Sequence, residues 1–163
     1  MLDLLNHIGP AMAFVLQVPT LGILLLGIML GIILGALPGF GSSQSMALLF
    51  PMTFVMSPEH AILFFIAVYS AAEYGGSVPA ILIRTPGTPA QSVTVLDGYA
   101  MTRKGLAGKA LKISLISGVL GGIISTLIFI VGATSLAEIG LQFGPGEMFA
   151  LGIFGLSIIG TFF

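Results

Sequence analysis

The stretch GALPGFGSSQS, residues 35–45, decides how the chain folds, because it breaks a long apolar run without adding a charge. It contains one proline, three glycines and three serines, and the sequence turns apolar again directly after it. Backbone interrupted by Gly and Pro at membrane depth is tolerated only where protein or a water-filled cavity shelters it. The stretch therefore predicts either a turn between two membrane helices or a sheltered break that forms a binding site.

The composition is that of a membrane protein. Of the 163 residues, 56% are hydrophobic and only 7% are charged, against roughly 25% charged residues in a soluble domain. Five Lys and Arg against six Asp and Glu provide no basic surface for nucleic acid. The chain has no cysteine, and its His, Asp and Glu residues lack the spacing of a metal site. We therefore expect no cofactor and no bound metal other than Na⁺.

Three apolar segments predict spanning helices, near residues 18–37, 114–133 and 148–163. The first two have about 20 residues each, which matches a bilayer core of roughly 30 Å. Gly27, Gly31 and Gly35 repeat every four residues in the first span and predict close approach of a second helix. Because the third segment reaches the end of the sequence without a polar flank, we expect a truncated chain.

Residues 38–96 lie between the first two spans and are expected to form interrupted membrane segments. Short apolar runs alternate there with Gly, Pro, Ser and Thr, so two short crossings and two re-entrant hairpins both fit the pattern. Four of the five basic residues lie between positions 103 and 112, which predicts that the loop 97–112 is cytoplasmic. The predicted fold class is an all-α, polytopic integral membrane protein with interrupted (re-entrant or broken) helices.

A second break resembles the first. LPGFGSS at residues 37–43 and TPGTPAQS at residues 85–92 each place Pro-Gly after an apolar run, followed by hydroxyl side chains. Proline preorganises the start of a helix, glycine lets a ligand approach the backbone, and the free amides of a helix start attract anions. Unwound carbonyl groups would favour Na⁺ instead. We therefore expect a substrate or ion site that both breaks form together.

Glu73 and Arg84 are unusual because both lie within this broken apolar region, where a charge costs about 2.5 to 3.5 kcal/mol. Each needs a partner or a water-filled cavity, so a role in ion coupling or gating and a structural ion pair both fit the sequence. Asp97, beside Gly98, is a third candidate for coupling or gating, although a helix cap or a turn explains it better.

No motif supports an enzyme. GLAGKALK, residues 105–112, lacks the spacing of a phosphate-binding loop. Ser43 and Ser77, with His60 as a base, have neither a nucleophile elbow nor a third group. We therefore expect no catalysis. Transporters use interrupted helices of this kind to bind substrates and ions at membrane depth, so a transporter is the first interpretation. The alternatives are a small helical scaffold or assembly protein and an intramembrane hydrolase.

Three blocks resemble the N-terminal part of the large membrane subunit of tripartite tricarboxylate transporters, the TctA family. They are GALPGFGSSQSMALLFPMTF at residues 35–54, YGGSVPAILIRTPGTPAQSVTVLDGYAMTRKGLAGKAL at residues 74–111, and FGPGEMFALGIFGLS at residues 143–157. The resemblance implies a secondary permease of the bacterial inner membrane, coupled to Na⁺ or H⁺, in a longer chain with two halves of inverted topology. It also implies a small membrane subunit and a periplasmic solute-binding protein that delivers carboxylates such as citrate.

The resemblance also implies which residues form the site. The family's Pro-Gly loop falls on Pro38, Gly39 and Gly41, and its second motif falls on Gly75, Gly76, Pro86, Gly87 and Thr88. We add the neighbouring hydroxyl residues Ser42, Ser43 and Ser77 to complete the expected substrate- or ion-binding residues. The family's Asp-Gly-Tyr signature falls on Asp97, Gly98 and Tyr99. Arg84 departs from the pattern, since a neutral polar residue such as Asn is expected there, and it predicts an altered substrate preference or local geometry.

Overall fold

The computed structural model describes residues 2–141 and 143–160, with side chains from residue 8 onward except at positions 134, 135, 139 and 158–160. Every regular element over these residues is a helix. The helices are α1 (Leu2–Val15), α2 (Val18–Gly35), α3 (Ser42–Leu49), a 3₁₀ helix (Phe50–Val55), α4 (Pro58–Ile83), a second 3₁₀ helix (Pro89–Ser92), α5 (Thr94–Arg103), α6 (Ala107–Leu141) and α7 (Pro145–Gly160). Residues 161–163 of the predicted third span lie outside the described residues.

Three of the described helices are long and apolar enough to cross a bilayer. They are α2, α4 and the part of α6 from Ala107 to Ala133. At 1.5 Å per residue, α4 is about 39 Å long, which exceeds a hydrocarbon core of roughly 30 Å. The predicted fold class, an all-α polytopic membrane protein, is confirmed.

The chain divides into two units, and the boundary between Gly118 and Val119 falls within α6. The second unit contains the rest of α6 and α7, whose large apolar side chains are mostly exposed. An apolar helix surface of this kind requires lipid or another apolar helix to cover it. All the residues of the candidate site described below belong to the first unit.

Helix α4 differs from the pattern expected over residues 38–96, because it runs unbroken through Gly75, Gly76 and Pro79. Each glycine in a helix costs about 1 kcal/mol relative to alanine, but tertiary packing overrides this preference. All three residues are buried. The interruptions lie instead before α3, between the first 3₁₀ helix and α4, and after Ile83. In α4 the glycines mark close contacts with neighbouring backbone.

Helices α2 and α4 pack along the glycine face of α2. A Cβ atom added at Gly31 would lie 2.6 Å from the carbonyl oxygen of Val68 and 2.8 Å from Cβ of Ala71. Gly27 and Gly35 face α4 with similarly little space. The close approach predicted from the four-residue glycine repeat is confirmed.

We expect Gly31→Ala to destabilise the protein by about 1–3 kcal/mol, because the new methyl group meets the backbone of α4. Gly22→Ala on the same helix is the matched control, since nothing lies within 4 Å of a Cβ atom added there. The melting temperatures of the two purified variants in detergent test the prediction. Equal melting temperatures would contradict tight packing at Gly31.

Candidate functional site

The two Pro-Gly breaks meet at Glu73, in the second half of α4. The hydroxyl of Ser42 donates to Glu73 Oε1 at 2.6 Å, and the hydroxyl of Thr88 donates to Glu73 Oε2 at 3.1 Å. Ser42 is the first residue of α3, and Thr88 is the N-cap of the 3₁₀ helix Pro89–Ser92. One carboxylate therefore joins two segments that are far apart in the sequence.

The surroundings of this carboxylate are polar but carry no positive charge. Ser42 is 7% exposed and Thr88 is 2% exposed, while Glu73 is half-buried. Gln91 Nε2 donates to the backbone carbonyl of Glu73 at 3.0 Å. Within the described part of the chain, no Lys, Arg or His pairs with the Glu73 carboxylate, so the ion pair with Arg84 is absent. Hydroxyl donors stabilise the carboxylate in place of a counter-ion.

Glycines allow the backbone of the second break to contact the backbones of α2 and α4 directly. The Gly87 N–H donates to the carbonyl oxygen of Gly76 at 3.1 Å. A Cβ atom added at Gly87 would overlap the carbonyl oxygen of Gly35 and lie 2.5 Å from Cα of Gly76. Gly75 faces the backbone of Ile32 in the same way. Side chains at these positions would force the three segments apart.

Gly39 in the first break has a different role. Its φ is +78°, and nothing lies within 4 Å of a Cβ atom added there. This left-handed backbone favours glycine whatever the space available. The proline of neither Pro-Gly pair begins a helix, since the helices start at Ser42 and at Pro89. The two pairs thus resemble each other in sequence but use glycine for different reasons.

A cavity of about 400 Å³ lies between the two breaks. Its lining residues are Gly39, Gly41, Ser42, Ser43, Gln44, Pro86, Gly87, Thr88 and Pro89. No ionisable side chain is among them. The cavity is lined by the first turn of α3, whose amides have no acceptor within the helix, and by hydroxyl groups. Its size falls in the range of small-molecule sites, and such neutral dipoles suit a small anion or a cation.

Several predicted site residues do not line this cavity. Ser77 is fully buried, and its hydroxyl donates to the carbonyl oxygen of Tyr74 at 2.6 Å. Gly75 and Gly76 pack against neighbouring backbone, and Pro38 is exposed in the turn before Gly39. These residues shape the backbone of the site without lining its interior.

Arg84 and Asp97 are also separate from the cavity lining. Arg84 is exposed and ends α4 in a left-handed conformation, with φ +63°. Asn tolerates this conformation better than Arg, which gives a physical reason for the Asn expected there. Asp97 is exposed in the first turn of α5 and lines a second cavity of about 450 Å³. Neither side chain is bonded to Glu73.

Three residues of the site do not follow from the Pro-Gly pattern. Gln44 and Pro89 line the cavity, and Gln91 binds the carbonyl oxygen of Glu73. A signal for both glutamines is present in the sequence, because each break ends in Gln-Ser, in GSSQS and in TPAQS.

Interrupted membrane segments that line a cavity with backbone and hydroxyl groups beside a long helix are typical of secondary transporters. A model of the tripartite tricarboxylate transporter TctA family matches residues 21–163. The chain belongs to this family, which is a family of transporters.

A curated relative extends this result. The chain is 37% identical over 158 residues to an uncharacterized 52.8 kDa protein in the TAR-I ttuC' 3' region of Agrobacterium vitis. The match covers 97% of this chain and 32% of that protein, so the chain spans about a third of its relative's length. No solved structure matches the chain.

Proposed function

We propose that the chain acts in the large membrane permease subunit of a tripartite, ion-coupled carboxylate uptake system. The observation that carries the proposal is the cavity between the two Pro-Gly breaks, where Ser42 and Thr88 both bind Glu73. Family membership supports transport as the general activity. Alternating access around the two breaks is the proposed mechanism.

A carboxylate such as citrate is the proposed substrate. The lining of the cavity holds hydroxyl groups, a side-chain amide and the first-turn amides of α3, and it contains no acidic side chain. These donors bind an anion without Lys or Arg, whose charge at membrane depth is expensive. Na⁺ and H⁺ are the two candidate coupling ions.

The partners and the location follow from the same proposal. The word tripartite in the family description supports two further components, proposed to be a small membrane subunit and a periplasmic solute-binding protein. We propose the bacterial inner membrane as the location, with residues 97–112 on the cytoplasmic side. The expected loop is mostly helical in the structure, since residues 97–103 belong to α5 and residues 107–112 to α6. Four of the five basic residues, between positions 103 and 112, support this orientation.

Substrate protection of a cysteine at Ser43 tests the binding site. The 163 residues contain no cysteine, so Ser43→Cys adds a single thiol to this part of the protein. Ser43 is exposed and lines the cavity. We expect citrate to slow the labelling of Ser43→Cys by a water-soluble maleimide severalfold, because bound citrate occupies the cavity. Labelling rates in membranes that contain the complete transport system provide the measurement.

Ser92→Cys is the matched control, since Ser92 is exposed but does not line the cavity. Its labelling should be independent of citrate. Unprotected Ser43→Cys in membranes that take up labelled citrate would contradict the binding site. A wild-type system that takes up no citrate would contradict the proposed substrate, and a scaffold without transport activity predicts this result.

A further inference from the structure

We infer that Glu73 binds the coupling cation. Once the cation is bound, the hydroxyl groups of Ser42 and Thr88 donate their hydrogen bonds to the substrate carboxylate instead of to Glu73. The inference rests on the proposed function and adds an order of events, in which the cation binds before the anion.

The first step is a count of protons. Each hydroxyl has one proton to donate, whereas an ionised carboxylate can only accept. In the structure both protons point to Glu73, that of Ser42 to Oε1 and that of Thr88 to Oε2. Both residues also line the cavity. While Glu73 is ionised, it therefore competes with the substrate carboxylate for the same two donors.

The second step is electrostatic. A carboxylate in the cavity would lie one hydroxyl group away from the carboxylate of Glu73, and like charges repel strongly away from bulk water. No basic side chain in the described structure offsets the charge of Glu73. Without a bound cation, the site therefore binds an anionic substrate weakly.

A bound cation removes both obstacles. A proton on Glu73 neutralises it, so that it no longer needs two donors. Na⁺ would take the oxygen atoms of Glu73, Ser42 and Thr88 as ligands, which hard cations prefer, and the hydroxyl protons would then turn toward the cavity. In both cases the two hydroxyl groups become donors for the substrate.

No other ionisable side chain around Glu73 explains cation binding at this site. Helices α2 and α3 and the 3₁₀ helix Pro89–Ser92 contain none. The other ionisable residues of α4 and α5, with the residue that follows α4, are Glu59, His60, Tyr69, Tyr74, Asp97, Tyr99, Arg103 and Arg84. None of them is hydrogen-bonded or ion-paired to Glu73 in the described structure. Cation binding at this site is therefore assigned to Glu73.

The first experiment needs no substrate. The complete permease is purified in detergent, and its melting temperature is measured as Na⁺ replaces choline, and separately as the pH is lowered in choline. A ligand that binds the folded state raises the melting temperature. We expect one of the two titrations to give the wild type a larger rise than Glu73→Gln, which identifies the cation. A variant whose shifts equal those of the wild type in both titrations would overturn the inference.

The second experiment measures transport in proteoliposomes loaded with citrate. Glu73→Gln is neutral and has the same shape, and its amide oxygen accepts from only one of the two hydroxyl groups. It therefore competes less with the substrate for the Ser42 and Thr88 donors in the absence of the cation. We expect citrate exchange to persist while uptake driven by the cation gradient falls by about tenfold or more, within the usual range for linked sites. Gradient-driven uptake equal to that of the wild type would contradict the inference.

Glu73→Asp is the conservative control. It keeps the carboxylate but retracts it by one methylene group, so we expect cation dependence to persist at higher cation concentrations. If Glu73→Gln does not fold, unchanged cation affinity in Glu73→Asp overturns the inference. A wild type that binds the cation at Glu73 but neither exchanges nor takes up citrate supports the cation site and contradicts the proposed substrate.

Discussion

Gly87→Ala should destabilise the protein by about 3 kcal/mol and separate the second break from the helices, because the new methyl group has no space. The obstacle is the backbone at Gly35 and Gly76, which belong to two different helices. A flexible side chain could rotate away, but two helix backbones that are packed together cannot both move at low cost. The melting temperature in detergent and the amount of protein in the membrane are the measurements.

Gly39→Ala is the informative control, because it changes the same dipeptide in the other break. A methyl group has space at Gly39, so only the left-handed backbone opposes it, at a cost of about 1 kcal/mol. Gly39→Asn should cost less, since Asn tolerates this conformation. If Gly87→Ala were as stable as Gly39→Ala, the result would contradict the close backbone contact of Gly87 with Gly35 and Gly76.

Thr88→Val should reduce citrate uptake by about tenfold or more, with little change in the shape of the buried side chain. The substitution removes the hydroxyl that donates to Glu73 Oε2 at 3.1 Å, at a position only 2% exposed. The same hydroxyl is one of the two donors proposed for the substrate carboxylate, and the variant cannot make this hydrogen bond. A hydrogen bond to a charged group contributes about 1.5–3 kcal/mol, and 1.4 kcal/mol corresponds to a factor of about ten.

Thr85→Val is the matched control in the same loop. Thr85 is exposed, and its hydroxyl makes only a long hydrogen bond of 3.4 Å to the carbonyl oxygen of Ile83. We expect its uptake to stay close to that of the wild type. Initial rates of labelled citrate uptake, normalised to the amount of protein in the membrane, compare the two variants. Equal rates for Thr88→Val and Thr85→Val would contradict a role for the Thr88 hydroxyl.

Much of the site is predictable from local sequence, because glycine and proline act through the backbone of their own segment. The break at Pro38 and Gly39 follows from an apolar run that stops without a charge, and the break at Pro86 and Gly87 follows from the same Pro-Gly pattern after the apolar run that ends before Arg84. The hydroxyl residues after each pair follow from the same pattern. The path of α4 does not, since packing sustains a helix through Gly75 and Gly76 against their low helix propensity.

The sequence by itself determined that this is an all-α membrane protein, that α2 carries a glycine face for a second helix, and that two breaks hold polar groups in apolar surroundings. These features depend on composition and on short periodic patterns. Only the tertiary structure decided that Glu73 joins Ser42 to Thr88 and that Gly87 crosses Gly35 and Gly76. Hydrogen bonds and backbone contacts between distant segments depend on how the helices pack, and no local pattern specifies that packing.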